Sequence, residues 1–107
     1  MFFEARERAE EALFAHRQAQ HFDMQARRNK LFALWAAHLQ GLEGKAADRY
    51  ATSLVLEDFP HYRAQAVLTR VTRDFAAAGR GIAAEEIAAA LAKSADRAQE
   101  EILEGAR

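Results

Sequence analysis

The first forty residues place the strongest constraint on the fold, because residues 2–40 contain neither glycine nor proline. Good helix formers dominate this stretch, so we expect one long helix, or two helices with a soft joint near 17–21. A helix of this length spans about 58 Å, whereas the later helices should span roughly 22–36 Å. Its N-terminal part must therefore protrude from the domain, fold back or remain mobile.

Three shorter helices are expected after the first one, at about 44–57, 58–78 and 82–104. Gly41 should end the first helix, because glycine adopts the left-handed conformation without steric cost. We expect Asp58 to cap the third helix, with Pro60 tolerated in its first turn. Short loops between amphipathic helices predict an all-α fold, an antiparallel four-helix bundle with an extended, possibly mobile N-terminal segment.

The apolar spacing predicts which side of the first helix faces the core. The expected inward face recurs at three- and four-residue intervals and comprises Leu31, Leu34, Trp35, His38, Leu39 and Leu42. On this basis we expect Trp35 to be mostly buried against the third and fourth helices, and His38 to be packed. Near the N-terminus the corresponding stripe is rich in alanine and offers weak anchorage: Phe2, Ala5, Ala9, Ala12 and Leu13.

Length, composition and charge restrict the class of protein. The 107 residues fit one domain, 1–107, with residues 1–18 as a partner-binding segment and 19–107 as the bundle. The net charge of −1 argues against a nucleic-acid binder. The absence of cysteine excludes disulfides and thiolate metal sites. No apolar run is long enough to cross a bilayer and no signal peptide is recognisable, so a cytoplasmic location is expected.

The sequence contains no recognisable catalytic motif. The four histidines do not form a His-Glu-x-x-His pattern, and no glycine-rich phosphate loop is present. Ser53 and Ser94 both fall within predicted helices, where a nucleophile elbow cannot form. We therefore predict that the protein is not an enzyme, and that it has no metal site and no obligate cofactor.

A basic cluster precedes the only tryptophan of the chain. It consists of Arg27, Arg28 and Lys30. One interpretation is a solvated helix face, with Asp23 pairing to Arg27 four residues later. The other is an anion site, in which the guanidinium groups bind phosphate or carboxylate and Trp35 supplies a stacking surface.

The N-terminal segment likewise permits two interpretations. Composition alone favours a frayed, solvated helix, because an isolated helix of this length is marginally stable in water. The alternative is a segment that is helical in the groove of a partner protein.

Motifs along the whole chain resemble the zeta subunit family, the small inhibitor of the F-type ATP synthase of alphaproteobacteria. The most specific part is Ala26-Arg27-Arg28-Asn29-Lys30-Leu31, followed by Leu34-Trp35-Ala36-Ala37, Gly41-Leu42, Tyr50-Ala51, Asp58-Phe59, Arg73-Asp74-Phe75 and the turn from Gly79 to Ile82. The N-terminal pattern also agrees, at Phe3, Arg6-Glu7, Ala9, Glu11-Ala12 and Phe14-Ala15-His16. The sequence departs from the family pattern at Pro60-His61-Tyr62-Arg63, which replaces an acidic loop, and at Ala83, where a Ser or Thr cap is common.

The resemblance implies a function. Members of this family inhibit ATP hydrolysis by inserting the N-terminal segment, as a helix, at a catalytic interface between alpha and beta subunits beside the rotor. Carried over to this chain, the inhibitory residues are Phe3, Arg6, Glu7, Glu11, Phe14 and His16. The protein would act in the cytoplasm, peripherally on the membrane-bound synthase.

Weak adenine nucleotide binding is also implied. ATP or ADP would bind at Arg27, Arg28, Lys30 and Trp35. The alternative function is a nucleotide-binding or regulatory helical module that does not inhibit.

Overall fold

The computed structural model describes residues 2–105, with side chains from Phe3 onward. Four helices are present: α1 (Phe2–Leu39), α2 (Gly44–Glu57), α3 (Ala64–Ala77) and α4 (Ala84–Gly105). No strand occurs within the described residues, which confirms the all-α prediction. Outside the described residues lie positions 1, 106 and 107 of the predicted domain. The side chain of Phe2, part of the predicted alanine-rich stripe, also lies outside them.

The helices pack as an antiparallel bundle in which α1 contacts the other three. Arg27 of α1 lies 3.9 Å from Glu101, near the end of α4, whereas Trp35, further along α1, shares a cleft with Glu86 near the start of α4, so these two helices run in opposite directions. Arg28 contacts the loop that leads into α3, and Trp35 packs on Phe75 near its end, so α3 runs parallel to α1. Short connections therefore join helices of alternating direction.

Gly41 ends α1 as predicted. Its φ of +84° is the left-handed conformation that favours glycine, and the amide of Leu42 donates to the carbonyl of Ala37 at 2.9 Å. This pairing satisfies a carbonyl that the helix end would leave unbonded. The chain can then reverse direction and enter α2, with four residues between the two helices.

The inward face of α1 differs from the predicted one. Phe32, Ala33 and Ala36 are fully buried, whereas the predicted Leu31, Leu34, Trp35, Leu39 and Leu42 are only partly buried. His38 is exposed, so the prediction that it is packed was wrong. Alanine lets neighbouring helix backbones approach closely, so the alanine-rich side forms the centre and the leucines line the flanking grooves.

Aromatic and aliphatic side chains from all four helices meet in one core. Phe32 stacks on Trp35 with ring centroids 5.7 Å apart, and the edge of Phe75 meets Trp35 at 5.6 Å. The fully or almost fully buried members contributed by the other helices include Ala51, Leu54, Val67, Val71, Phe75 and Ile87. Trp35 packs against this core with only a minor part of its surface exposed, on Phe75 of α3 and beside residues of α4, which confirms the prediction that it is mostly buried there.

The loop between α2 and α3 corrects another prediction. Asp58 does not cap α3, which begins six residues later at Ala64; instead its carboxylate closes the loop. It accepts hydrogen bonds from the backbone N–H of Arg63 at 2.7 Å and from the Arg63 guanidinium at 2.8 and 3.1 Å. These bonds stabilise the ionised carboxylate and lower the pKa of Asp58 to about 2.

This loop provides a prediction about pH. Because the pKa of Asp58 is lowered in the folded protein from 3.8 to about 2, its contribution to stability is complete above pH 4 and is lost as the pH falls through about 2. Asp58→Asn should therefore lower the melting temperature at neutral pH, and the difference from the wild type should vanish towards pH 2. Thermal denaturation of both proteins across this range measures the effect, and a difference that is independent of pH would contradict it.

The N-terminal half of α1 extends beyond the bundle as one continuous helix, with no break at 17–21. The molecule measures 64 Å in its longest dimension and 26 and 25 Å in the other two. Of the alternatives given by the length argument, the structure shows protrusion. Among the described helices, none is both long enough and apolar enough to cross a membrane.

Candidate functional site

Residues 3–23 of α1, here called the projecting segment, are exposed throughout. The first partly buried residue of α1 is Met24. Exposure thus continues five residues beyond the end of the predicted partner-binding segment, 1–18. Large apolar side chains lie in this exposed helix, with Phe3 71%, Phe14 63% and Phe22 46% accessible. Burial of such side chains is strongly favourable, so their exposure marks a candidate binding surface.

These three phenylalanines continue the side of α1 that faces the core. Phe14 precedes the buried Phe32 by 18 residues, which is five helical turns, so both point in the same direction. Phe3 lies 11 residues before Phe14, which rotates it by only about 20°. Phe22 precedes the buried Asn29 by seven residues and shares its side of the helix. The inward stripe of α1 therefore runs on past the point where the bundle ceases to cover it.

Acidic side chains lie between the phenylalanines of this stripe. Glu7 and Glu10 fall between Phe3 and Phe14 at spacings of four, three and four residues, so all four share one face. Grooves on the surface of the helix join Phe3 to Glu7 and Glu10, and Glu7 to Phe14. The surface combines apolar anchors with carboxylates, a pattern suited to an interface in a protein complex.

The predicted inhibitory residues divide between faces. Phe3, Glu7 and Phe14 lie together on the uncovered stripe, and Glu11 lies on it too, since it precedes the buried Asn29 by 18 residues. Arg6 flanks the stripe, where its Nε lies 3.3 Å from Oε1 of Glu10 in an exposed ion pair. His16 points to the opposite side of the helix.

The predicted inhibitory residues did not include two residues of this surface, Glu10 and Phe22. The spacing of Glu10 from Phe3 and Phe14 would have identified it. Phe22 could not be recognised in this way, because its importance depends on where the bundle ends.

The basic cluster is largely engaged within the protein. Arg28 donates through Nη2 to the carbonyl of Tyr62 at 2.9 Å and through Nε to Oδ1 of Asn29 at 3.0 Å. Burial lowers the pKa of the Arg28 guanidinium. Arg27 lies 3.4 Å from Asp23 and 3.9 Å from Glu101, while Lys30 is exposed. A phosphate could bind Arg28 only by displacing these hydrogen bonds.

Trp35 lies apart from the two other cations of the cluster. It lines a cleft of about 370 Å³ between α1 and α4, together with residues that include Leu31, Lys93 and Arg97. Arg27 and Lys30 instead border two other grooves, one of about 210 Å³ against α2 and one of about 340 Å³ towards Glu101 of α4, and Trp35 lines neither of these two. Nucleotide binding by this set stays a prediction. Within the described residues, no cluster of three or more His, Cys, Asp or Glu side chains could hold a metal ion.

Comparison with known proteins gives one match. The model of the family described as ATPase inhibitor subunit zeta matches residues 1–101, nearly the whole chain and all of the projecting segment. This match confirms the resemblance drawn from the motifs. No curated protein and no solved structure gave a significant match.

Proposed function

The chain belongs to the ATPase inhibitor subunit zeta family, and we propose that it inhibits ATP hydrolysis by an F-type ATP synthase. In this proposal it is a regulatory protein, not a catalyst, and acts in the cytoplasm, peripherally on the membrane-bound enzyme. The projecting segment is the inhibitory element and inserts at an interface between alpha and beta subunits. The observation that supports this most strongly is the uncovered stripe of Phe3 and Phe14 on a helix outside the bundle.

The energetics of the segment suit insertion into a partner. A phenylalanine buries about 150–250 Å² in a well-packed interface, so Phe3 and Phe14 supply two strong anchors. No contact within the bundle has to break, because residues 3–23 are exposed. The segment is already helical, which reduces the conformational entropy lost on binding. Arg6, Glu7 and Glu11 would meet charged or polar groups at the rim, where they favour the correct partner.

A helix at such an interface would inhibit by a mechanical route. Hydrolysis at a site shared by two subunits requires the interface to open and close during each cycle. A helix wedged between the subunits would hold the interface in one state. The proposed inhibitor therefore need not contact the nucleotide.

The test is a titration of the purified F-type ATPase with the full-length chain, with ATP hydrolysis as the readout. Phe14→Ala should raise the half-inhibitory concentration at least about tenfold, because truncation of a central anchor residue costs about 2 kcal/mol or more and about 1.4 kcal/mol is tenfold. Leu13→Ala is the matched control: Leu13 is also exposed, at 49%, but is rotated by about 100° from Phe14. Equal effects of the two substitutions would contradict the assignment of the stripe, and no inhibition by the wild-type chain would contradict the function.

A further inference from the structure

The α2–α3 loop presents an exposed aromatic side chain at the base of the projecting segment. Phe59 is 65% accessible, and its ring meets the edge of Tyr62 with centroids 5.9 Å apart. The carbonyl of Tyr62 accepts the hydrogen bond from Arg28, which fixes the loop against α1. Phe59 is therefore held at the end of the bundle from which the projecting segment emerges.

Phe22 lies at the same end, on the side of α1 that faces the bundle. It is six residues before Arg28, or about 9 Å along the helix axis. Because Phe22 shares the side of the buried Asn29, it overhangs the end of the bundle and is still 46% exposed. The projecting helix and the bundle end thus form a corner with an exposed phenylalanine on each wall.

The charged residues that flank the loop presenting Phe59 are paired with each other. Asp58 and Arg63, which flank the loop, bind each other through three hydrogen bonds. A partner can therefore cover Phe59 without burying an unpaired charge, which would cost free energy. The complementary surface on the partner is expected to be apolar.

We infer that Phe22 and Phe59 form a second contact surface for the enzyme subunits that receive the projecting segment. This inference rests on the proposed function. A partner that encloses the helix as far as Gln18 has its rim about 9 Å from Met24, where the bundle begins. The helix is continuous from one region to the other, so the rim meets this corner when the segment is fully inserted. The corner adds affinity and stops the insertion at a defined depth.

The test uses the full chain with Phe22→Ser and Phe59→Ser combined, and measures inhibition of ATP hydrolysis. We expect the half-inhibitory concentration to rise at least about tenfold, with complete inhibition still reached at saturation. The melting temperature should stay close to that of the wild type, since both side chains are exposed. The matched control, Phe22→Leu with Phe59→Leu, keeps the surface apolar and should retain most of the affinity.

A second variant tests the geometry. Seven alanines inserted after Gln20 extend the helix by about 10 Å but rotate it by only about 20°, so the stripe keeps its direction while the corner moves away. This insertion should weaken inhibition as much as the double serine variant, and the two changes together should weaken it no further.

Two results would overturn the inference. An unchanged half-inhibitory concentration in the double serine variant would do so and leave the proposed function intact. A wild-type dimer that is lost in the variant, with equal inhibition by both proteins, would assign the corner to a second copy of this chain. Failure of the wild type to inhibit would overturn the proposed function and this inference together.

Discussion

Removal of residues 1–18 is expected to abolish inhibition and to leave the bundle folded. No side chain from Phe3 to Gln18 is buried, so the truncated chain loses no part of the core. We expect the truncation to change the free energy of unfolding by less than about 0.5 kcal/mol, which shifts the melting temperature by no more than about 4 °C. The shortened protein should melt cooperatively at nearly the wild-type temperature and should not slow ATP hydrolysis at any concentration tested.

Thermal denaturation and the hydrolysis assay together separate the possible outcomes of this truncation. A truncated chain that is unfolded would show that the projecting segment belongs to the core. A truncated chain that still inhibits like the full protein would place the inhibitory surface on the bundle. Either result would contradict the assignment of function to the projecting segment.

Phe32→Ala is expected to cause the largest loss of stability. Phe32 is fully buried and stacks on Trp35 at the centre of the core. Replacement of a buried phenylalanine by alanine typically costs about 3–5 kcal/mol, through lost transfer energy and the cavity left behind. A domain of this size has only about 5–15 kcal/mol of total stability. The variant should therefore melt at least about 12 °C below the wild type.

Leu103→Ala serves as the control for this substitution. Leu103 is 57% accessible on α4, so its truncation should change the stability by less than about 0.5 kcal/mol. A melting temperature of Phe32→Ala within about 3 °C of the wild type would contradict the core described above. It would then be Trp35 and the flanking leucines, as the sequence first suggested, that form the centre.

Local signals in the sequence predicted the helices well. The absence of glycine and proline from residues 2–40 predicted α1, and Gly41 predicted its end. The predicted α2 coincides with the observed Gly44–Glu57. These features depend on the backbone preferences of nearby residues, which the sequence states directly. The length of α1 likewise indicated that its N-terminal part must protrude from the bundle, fold back or remain mobile.

Features that depend on tertiary packing were predicted less well. Hydrophobic spacing favoured the leucine face of α1, but close helix packing selected the face of Phe32, Ala33 and Ala36. Asp is a residue type that often caps helices, yet the carboxylate of Asp58 accepts hydrogen bonds from Arg63 and closes a loop. Phe22 became recognisable as part of the candidate surface only when the end of the bundle was known. In each case, the outcome depends on which groups the folded backbone brings into contact, and the spacing of residues in the sequence does not specify this.

Photo-cross-linking from position 14 identifies what the projecting segment touches in the inhibited complex. The full-length chain with Phe14→p-benzoylphenylalanine keeps an aromatic side chain on the stripe, and illumination in complex with the F-type ATPase labels whatever lies against it. The control is the same substitution at His38, which is exposed on α1 within the bundle. We expect cross-links from position 14 to both alpha and beta subunits and none from position 38. Inhibition without any cross-link from position 14 would contradict this expectation.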